Sequence, residues 1–173
     1  MTVTEPAARP LDARDTRLEP WRAFLDAHAR VTRRLDEELR SEHDLSLAEY
    51  DALLTIANAP ERRIRMRQLA DRVILSKSGV TRLIDRLVAD GLVERGACVS
   101  DARGAEAVLT RSGLERLRTA SRTHLRGIAD HFLDVLDEPT LATIERSMRA
   151  VSKRVGPSDD GEYCAPDAES ADR

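Results

Sequence analysis

The strongest constraint on the fold is one stretch, LADRVILSKSGVTRLIDR, which covers residues 69–86. Its apolar residues recur at helical spacing in two sets, and this pattern predicts two short helices joined by a tight turn. The first helix is expected over residues 66–73 and the second from about Lys77. Ser76 is suited to cap the second helix, because its hydroxyl can accept a hydrogen bond from an otherwise unpaired backbone N–H. The stretch therefore predicts a helix-turn-helix.

The outward face of the second helix suits contact with a nucleic acid. A helix-turn-helix offers DNA small or hydroxylated side chains near the helix N-terminus, where the backbone approaches the bases, and cations where phosphates pass. The apolar residues of this helix fall on one stripe, so the opposite face is free for such contacts. The outward residues are of these kinds: Lys77, Ser78, Thr81, Arg82 and Arg86.

Charge is distributed unevenly along the chain. The whole chain carries −3 at pH 7, which by itself argues weakly against a nucleic-acid partner. Residues 62–103, however, contain ten Lys or Arg against five acids, a net +5, so the remainder carries −8. Because local charge neutralises phosphate, this asymmetry favours DNA binding by the central segment. A charged face that only contacts solvent would not predict this uneven distribution of charge.

Length and composition indicate one mainly helical domain with an elongated extension. Only five of the 173 residues are aromatic, so the core must consist of Leu, Val, Ile and Ala, as is typical of helical proteins. The two cysteines, Cys98 and Cys164, form neither a disulfide framework nor a metal-ligand spacing, which indicates a reducing, cytoplasmic setting. There is no apolar run of membrane-span length and no hydrophobic signal region, so no membrane partner is expected.

Patterns along the chain divide it into five segments. The two ends lack apolar periodicity and are expected to be disordered, as an arm at residues 1–17 and an acidic tail at residues 156–173. A long helix predicted from Leu18 to Glu42 has an apolar seam longer than a small core needs, and such helices usually pack against a second subunit. The other segments are thus a dimerisation helix at 18–45, a DNA-binding lobe at 46–110 and C-terminal dimerisation helices at 111–155.

The region around the helix-turn-helix predicts a small sheet. Gly91 is a natural end for the second helix, and two weakly alternating runs follow, over residues 92–99 and 106–109. A polar turn at residues 100–104 separates these runs, so they read as a β-hairpin. With a very short strand at Ile64, the region predicts a winged helix.

Capping patterns mark the starts of the remaining helices. Ser46 and Glu49 have the spacing of a capping box. Thr110 is suited to cap a long helix that runs to about Leu136, and Pro139 falls in the first turn of a last helix. The fold expected from these patterns is mainly α-helical.

Two motifs are more specific than the helical pattern. One is SKSGVTRLIDRLVADGLVER at residues 76–95, and the other is DARGAEAVLTRSG at residues 101–113. The second motif has an Asp, one residue, an Arg, and then Leu-Thr with a Gly shortly after. The two motifs resemble the recognition helix and the wing signature of the MarR family of bacterial transcriptional regulators. The order of elements is similar to that family from about Trp21 to Val155.

The resemblance implies a homodimer in which the first helix and the last two helices of each chain intertwine. The second helix of the motif would enter the major groove of double-stranded DNA, and Arg103 at the wing tip would enter the adjacent minor groove. Asp101 would orient Arg103, or an arginine such as Arg95, through a charge-assisted hydrogen bond. On the helix, Arg86 would support backbone contact, and the residues implied to approach bases and phosphates are Ser76, Lys77, Ser78, Thr81 and Arg82.

The resemblance also implies a small-molecule effector. Members of the family commonly hold an aromatic or anionic ligand in a cleft between the dimer helices and the DNA-binding lobe. On this chain, Trp21, Arg22 and His28 would line the wall of such a cleft. An interface role for His28, without any ligand, is the alternative.

Metal and redox sensing are further alternatives. His124 and His131 share one helix face, but their spacing is loose and no Cys joins them, so neither a metal nor another cofactor is predicted. Cys98 lies in the predicted wing strand, where it is either a small strand residue or a redox switch. A redox- or metal-responsive regulator of the same fold therefore stays open.

The leading interpretation is a dimeric, sequence-specific transcriptional regulator, namely a ligand-responsive repressor that binds a pseudo-palindromic operator. The alternative from another class is a winged-helix scaffold that binds protein and no DNA, which does not explain why positive charge gathers around the helix and wing. An enzyme is not predicted, because the sequence has no phosphate-binding loop, no nucleophile with its base and no His-x-x-x-His zinc motif.

Overall fold

The computed structural model describes residues 12–72, 77–97 and 105–156. These residues form a mainly α-helical fold with a small three-stranded antiparallel sheet, as the sequence predicts. The first helix is the longest, and two helices follow the sheet. The elements are α1 Glu19–His43, α2 Leu47–Ala57, β1 Arg63–Arg65, α3 Met66–Arg72, α4 Lys77–Ala89, β2 Val93–Ala97, β3 Ala105–Leu109, α5 Arg111–Ile128 and α6 Glu138–Val155.

Helix α2 begins with the predicted capping box. The hydroxyl of Ser46 accepts from the backbone N–H of Glu49 at 3.2 Å, and Glu49 Oε2 accepts from the backbone N–H of Ser46 at 2.8 Å. Two backbone donors that the first turn of a helix leaves unpaired are thereby satisfied. The capping box is confirmed, and it holds Glu49 in a buried position.

The core of the lobe lies between the sheet and helices α2, α3 and α4. Strand β3 is central, with β1 and β2 antiparallel on either side of it. The predicted short strand at Ile64 and the predicted hairpin are both confirmed. Helices α3 and α4 present apolar faces to this sheet, because their apolar residues recur at helical spacing. Fully buried members of the core are Leu53, Ile56, Leu69, Val80, Ile84, Leu87 and Val93.

Gly91 ends helix α4 as predicted. It has a φ of +69°, a left-handed conformation that favours glycine. The backbone N–H of Leu92 donates to Leu87 O at 2.8 Å, and that of Gly91 donates to Val88 O at 3.0 Å. This pair of bonds is a Schellman motif, which turns the chain directly from α4 into β2.

The base of the wing is joined to helix α5 at a tight junction. The hydroxyl of Thr110 accepts from the backbone N–H of Gly113 at 2.9 Å and donates to Gly91 O at 2.8 Å. The backbone N–H of Thr110 donates to Leu92 O at 3.1 Å. Thr110 therefore caps α5, as predicted, and also ties that cap to the end of α4.

Helix α5 is shorter than the sequence predicts. The α-helical hydrogen bonds stop at Ile128, and a π-helical segment, Ala129–Leu133, takes over. The backbone N–H of Asp134 donates to Ala129 O at 2.9 Å, a bond that spans five residues. An apolar pattern continues through both kinds of helix, so the pattern alone does not reveal the change.

Apolar surface remains uncovered on the long helices. In the first half of α1, Trp21 is 56% exposed, and its ring stacks on Phe24 with centroids 5.9 Å apart. On α6, Val151 is 56% exposed, and none of the residues of this helix is buried. The apolar seams that predict a second subunit thus have no cover within the described part of one chain.

The structure describes only part of the predicted N-terminal arm and of the predicted C-terminal tail. Of the predicted arm, residues 1–11 lie outside the described residues, and Asp15 caps a short 3₁₀ helix, Thr16–Leu18. Among the described residues, regular structure begins at Thr16. Of the predicted tail, residues 157–173 also lie outside them. None of the described helices is long and apolar enough to cross a membrane.

Asp51 on α2 is a half-buried carboxylate, and burial raises its pKa from 3.8 to about 6. The folded state therefore binds this proton more tightly than the unfolded state does, so stability falls as the pH rises through this range and stays lower above it. We expect Asp51→Asn to raise the free energy of unfolding at neutral pH by about 1 to 2 kcal/mol, allowing for partial exposure.

Urea denaturation of the Asp51→Asn variant at several pH values measures this effect. The gain should vanish below the ordinary pKa of 3.8, where the aspartate is protonated in both states. Asp130→Asn, at an exposed position, is the control and should show no such trend. A gain for Asp51→Asn that does not change with pH would contradict the prediction.

Candidate nucleic-acid interface

Helix α4 presents one apolar and one polar face, as the sequence predicts for the second helix of a helix-turn-helix. Val80 and Ile84 are buried against the core, whereas Thr81 and Arg82 are exposed. Lys77 begins the helix, and Ser78 follows in its first turn. Ser76, the predicted cap, lies outside the described residues.

Helices α3 and α4 carry exposed arginines with no ion-pair partner among the described residues. Arg67 and Arg72 project from α3, and Arg82 projects from α4. Within the described ranges, no carboxylate forms an ion pair with any of these three guanidinium groups. Many arginines on the other helices are paired, such as Arg30 with Asp26 on α1 at 2.9 Å. Arg67, Arg72 and Arg82 thus keep their charge available to an external anion.

Arg95, predicted to orient the wing, pairs with helix α4. Its Nη2 donates to Asp85 Oδ1 at 2.5 Å, which joins β2 to the outward side of α4. The other predicted members of the wing tip, Asp101 and Arg103, lie outside the described residues, as does Cys98. Arg95 therefore ties the base of the wing to the helix, and the pairing of Asp101 stays a prediction.

Arg86, predicted to contact the DNA backbone, pairs with helix α2. Its Nη2 lies 3.0 Å from Glu49 Oε1. Sequence reasoning identified Glu49 only as half of a capping box, because that spacing is local. Its second partner lies on another helix, and no local pattern reports such a contact.

The predicted effector residues lie together on the first half of α1. Phe24 stands between Trp21 and His28, with a ring centroid 6.2 Å from that of His28. Arg22 Nη1 donates to Glu19 Oε1 at 2.6 Å, and its Nη2 donates to Ala13 O. All three predicted residues are exposed in a single chain, so a cleft that they line needs a further wall.

The histidines of α5 and the π-helical segment have different partners. His131 Nε2 lies 2.8 Å from Glu38 Oε1 on α1. His124 packs on the ring of Tyr50 with centroids 4.4 Å apart, and burial lowers the pKa of its imidazole. In the part of the chain that the structure describes, no group of three or more His, Cys, Asp or Glu is placed to hold a metal ion.

The chain is similar to proteins of one known family. A family model, MarR family, matches residues 43–104. Curated protein sequences give no match. Sco3205 from Streptomyces coelicolor, a MarR family transcriptional regulator solved in complex with DNA, is 29% identical, with a TM-score of 0.76 over 91% of this chain and 97% of that one. A mutant of MarR from E. coli complexed with operator DNA is 25% identical, with a TM-score of 0.70 over 82% and 99%.

A third solved structure has a higher sequence identity to this chain than Sco3205 and the MarR mutant have. AbsC from Streptomyces coelicolor, a MarR family transcriptional regulator, is 31% identical, with a TM-score of 0.75 over 85% of this chain and 97% of that one. This identity extends across nearly the whole of AbsC, and the family model covers the helix-turn-helix and strand β2. The winged fold, the sequence motifs and these matches agree, and the chain therefore belongs to the MarR family.

Proposed function

We propose that this protein is a DNA-binding transcriptional regulator. The observation that carries the proposal is a set of three exposed arginines on α3 and α4, Arg67, Arg72 and Arg82, which no described carboxylate neutralises, in a chain whose net charge is −3. Such a surface attracts the phosphates of a duplex, because local charge decides the interaction. The DNA complexes of Sco3205 and of the MarR mutant support the proposal.

In this proposal, α4 enters the major groove and the wing reaches the adjacent minor groove. Arg103, at the wing tip, enters the minor groove, where a narrow A·T tract concentrates negative potential. Arg86 differs from the other proposed contacts, because Glu49 holds its guanidinium. The residues on and before α4 that approach bases or phosphates are Ser76, Lys77, Ser78, Thr81 and Arg82.

We propose that the working unit is a homodimer. The exposed apolar seams of α1 and α6 support this, because contiguous apolar surface of this kind marks a protein interface. Two recognition helices related by a two-fold axis would face successive major grooves about 34 Å apart. The expected operator is a pseudo-palindrome with half-sites about one helical turn apart.

The proposed regulator is a repressor that a small molecule releases. The second chain of the dimer would supply the further wall that the exposed Trp21, Arg22 and His28 need. An effector that favours a dimer with the wrong spacing between recognition helices would shift the population away from the DNA-bound form by a few kcal/mol. Phenolic and anionic metabolites are the probes to add to a DNA-binding assay.

The direct test is a selection of duplexes from a randomised pool, followed by titration of the selected site at several salt concentrations. We expect Arg82→Ala and Arg103→Ala to weaken binding and to reduce the slope of log K against log salt by about 0.9 per subunit for each lost phosphate contact. Arg30→Ala on α1 is the control, because its charge is already paired with Asp26. It should leave the slope unchanged.

Two results would reject parts of this proposal. If the protein enriches no duplex at low ionic strength, it is better explained as a winged-helix scaffold that binds protein. If it binds a selected site but Arg103→Ala changes neither affinity nor slope, the wing does not have the proposed role.

A further inference from the structure

Two neighbouring residues of α4 with opposite charges are tied to different elements. Asp85 accepts from Arg95 of β2 at 2.5 Å, and Arg86 pairs with Glu49 of α2 at 3.0 Å. Successive residues of a helix lie about 100° apart around its axis, so the two ties hold α4 from two directions. Together they resist rotation of the helix about its own axis.

The carboxylate of Glu49 divides its two oxygens between two tasks. Oε2 accepts from the backbone N–H of Ser46 at 2.8 Å and from its hydroxyl at 2.6 Å. Oε1 is left for Arg86. The capping box therefore fixes the orientation of the carboxylate, and the orientation of the carboxylate decides where the guanidinium of Arg86 can bind.

Burial makes this pair different from an ordinary surface ion pair. The side chain of Glu49 is only 10% exposed, whereas that of Arg86 is 62% exposed. A buried carboxylate that loses its cationic partner is left with an uncompensated charge, which is strongly unfavourable. Glu49 therefore competes effectively with a solvent-exposed phosphate for the guanidinium of Arg86.

The position of Arg86 on the helix agrees with this assignment. It follows buried Leu83 by three residues and directly precedes buried Leu87, so it lies at the edge of the apolar face. Arg82, one turn earlier, has no such neighbour among the described carboxylates. The two arginines of α4 are thus in different electrostatic surroundings.

We propose that Glu49 is a positioning residue for the recognition helix, acting through Arg86, and that Arg86 is not a phosphate contact. This inference rests on the proposed function. The ion pair sets the rotation of α4, and thereby the direction in which Thr81 and Arg82 meet the duplex. Small errors in the placement of a recognition group have large effects on binding, because hydrogen bonds to bases depend on geometry.

Glu49→Gln separates the two tasks of the carboxylate. The amide oxygen can still accept from Ser46, while the amide nitrogen offers Arg86 a donor in place of an acceptor. Arg86→Ala removes the other partner, and the double variant removes both. Asp26→Asn is the matched control, because it makes the same carboxylate-to-amide change in the exposed ion pair with Arg30 on α1.

The experiment measures binding of each variant to a duplex that the wild-type protein selects from a randomised pool, at several salt concentrations. We expect Glu49→Gln and Arg86→Ala each to weaken binding about tenfold, and the double variant to be no weaker than either. The salt slope should stay that of the wild type in all three, whereas Arg82→Ala should lower it by about 0.9 per subunit. Asp26→Asn should leave both the affinity and the salt slope unchanged, because its partner Arg30 lies on α1.

The opposite pattern would overturn the inference. A salt slope that falls for Arg86→Ala as it does for Arg82→Ala, with Glu49→Gln binding as well as the wild type, would make Arg86 a phosphate contact. Losses that add in the double variant would show that the two residues act independently. A wild-type protein that selects no duplex would instead reject the proposed function, and this inference with it.

Discussion

Replacing Gly113 with alanine is expected to lower the melting temperature by about 10 °C or more, equivalent to about 3 kcal/mol. A Cβ atom at this position would stand 2.1 Å from Leu92 O and 2.9 Å from Leu109 Cδ1. The first of these atoms belongs to the backbone at the base of the wing, where it already accepts from Thr110. It cannot move aside as the end of a flexible side chain can.

The Gly113→Ala variant should therefore separate α5 from the wing or unfold the lobe. Thermal unfolding followed by circular dichroism measures the loss. Ser112→Ala is the matched control, since the neighbouring residue is exposed and lies in the same turn of the helix. A Gly113→Ala protein as stable as the control would show that the junction adjusts without cost.

Glutamate in place of Met148 or Val151 on α6 is expected to turn the proposed dimer into a monomer. These side chains are 40% and 56% exposed in one chain and lie on the same apolar face of the helix. A charge buried at a subunit interface without a partner is strongly unfavourable. Sedimentation analysis should report half the mass of the wild-type assembly, and affinity for the selected duplex should fall about a hundredfold or more, because the two half-sites are no longer bound together.

Ala150→Glu provides the control for these substitutions. Ala150 lies on the opposite, exposed side of α6, so the same charge there should leave the dimer and its DNA affinity unchanged. If Met148→Glu and Val151→Glu remain dimeric, the apolar face of α6 is not the subunit interface. If Ala150→Glu also dissociates, the effect comes from added charge and not from the face that carries it.

The glycine of the wing motif, Gly113, can be located from the sequence, but the reason for a glycine at this position cannot. The sequence places Gly113 shortly after Leu-Thr, and the resemblance to a family's wing signature depends on this spacing. The reason for a glycine is visible only where the helix meets Leu92 O, since that contact joins segments that are distant in the chain. Thr110 also makes one contact of each kind. Its hydroxyl caps the nearby Gly113, which the sequence predicts, and it also donates to Gly91 O, which is distant in the chain.

Local patterns determined the elements and their order. The capping box at Ser46, the left-handed stop at Gly91 and the apolar stripe of α4 each involve residues within a few positions of one another, so they can be found in the sequence alone. The sequence did not predict the π-helical segment after Ile128. An apolar pattern does not show whether backbone hydrogen bonds span five residues, as in a π-helix, or four, as in an α-helix.

Only the tertiary structure decided which charges are already satisfied. In the sequence, Arg82 and Arg86 look equivalent, four residues apart on one outward face, but the fold brings a buried carboxylate to one of them. Helical periodicity specifies which side of a helix a residue occupies, whereas pairing depends on what a distant segment places beside it. For that reason the sequence determined the winged fold and the face that we propose meets DNA, and the packing of α2 against α4 decided which of the two arginines is already paired.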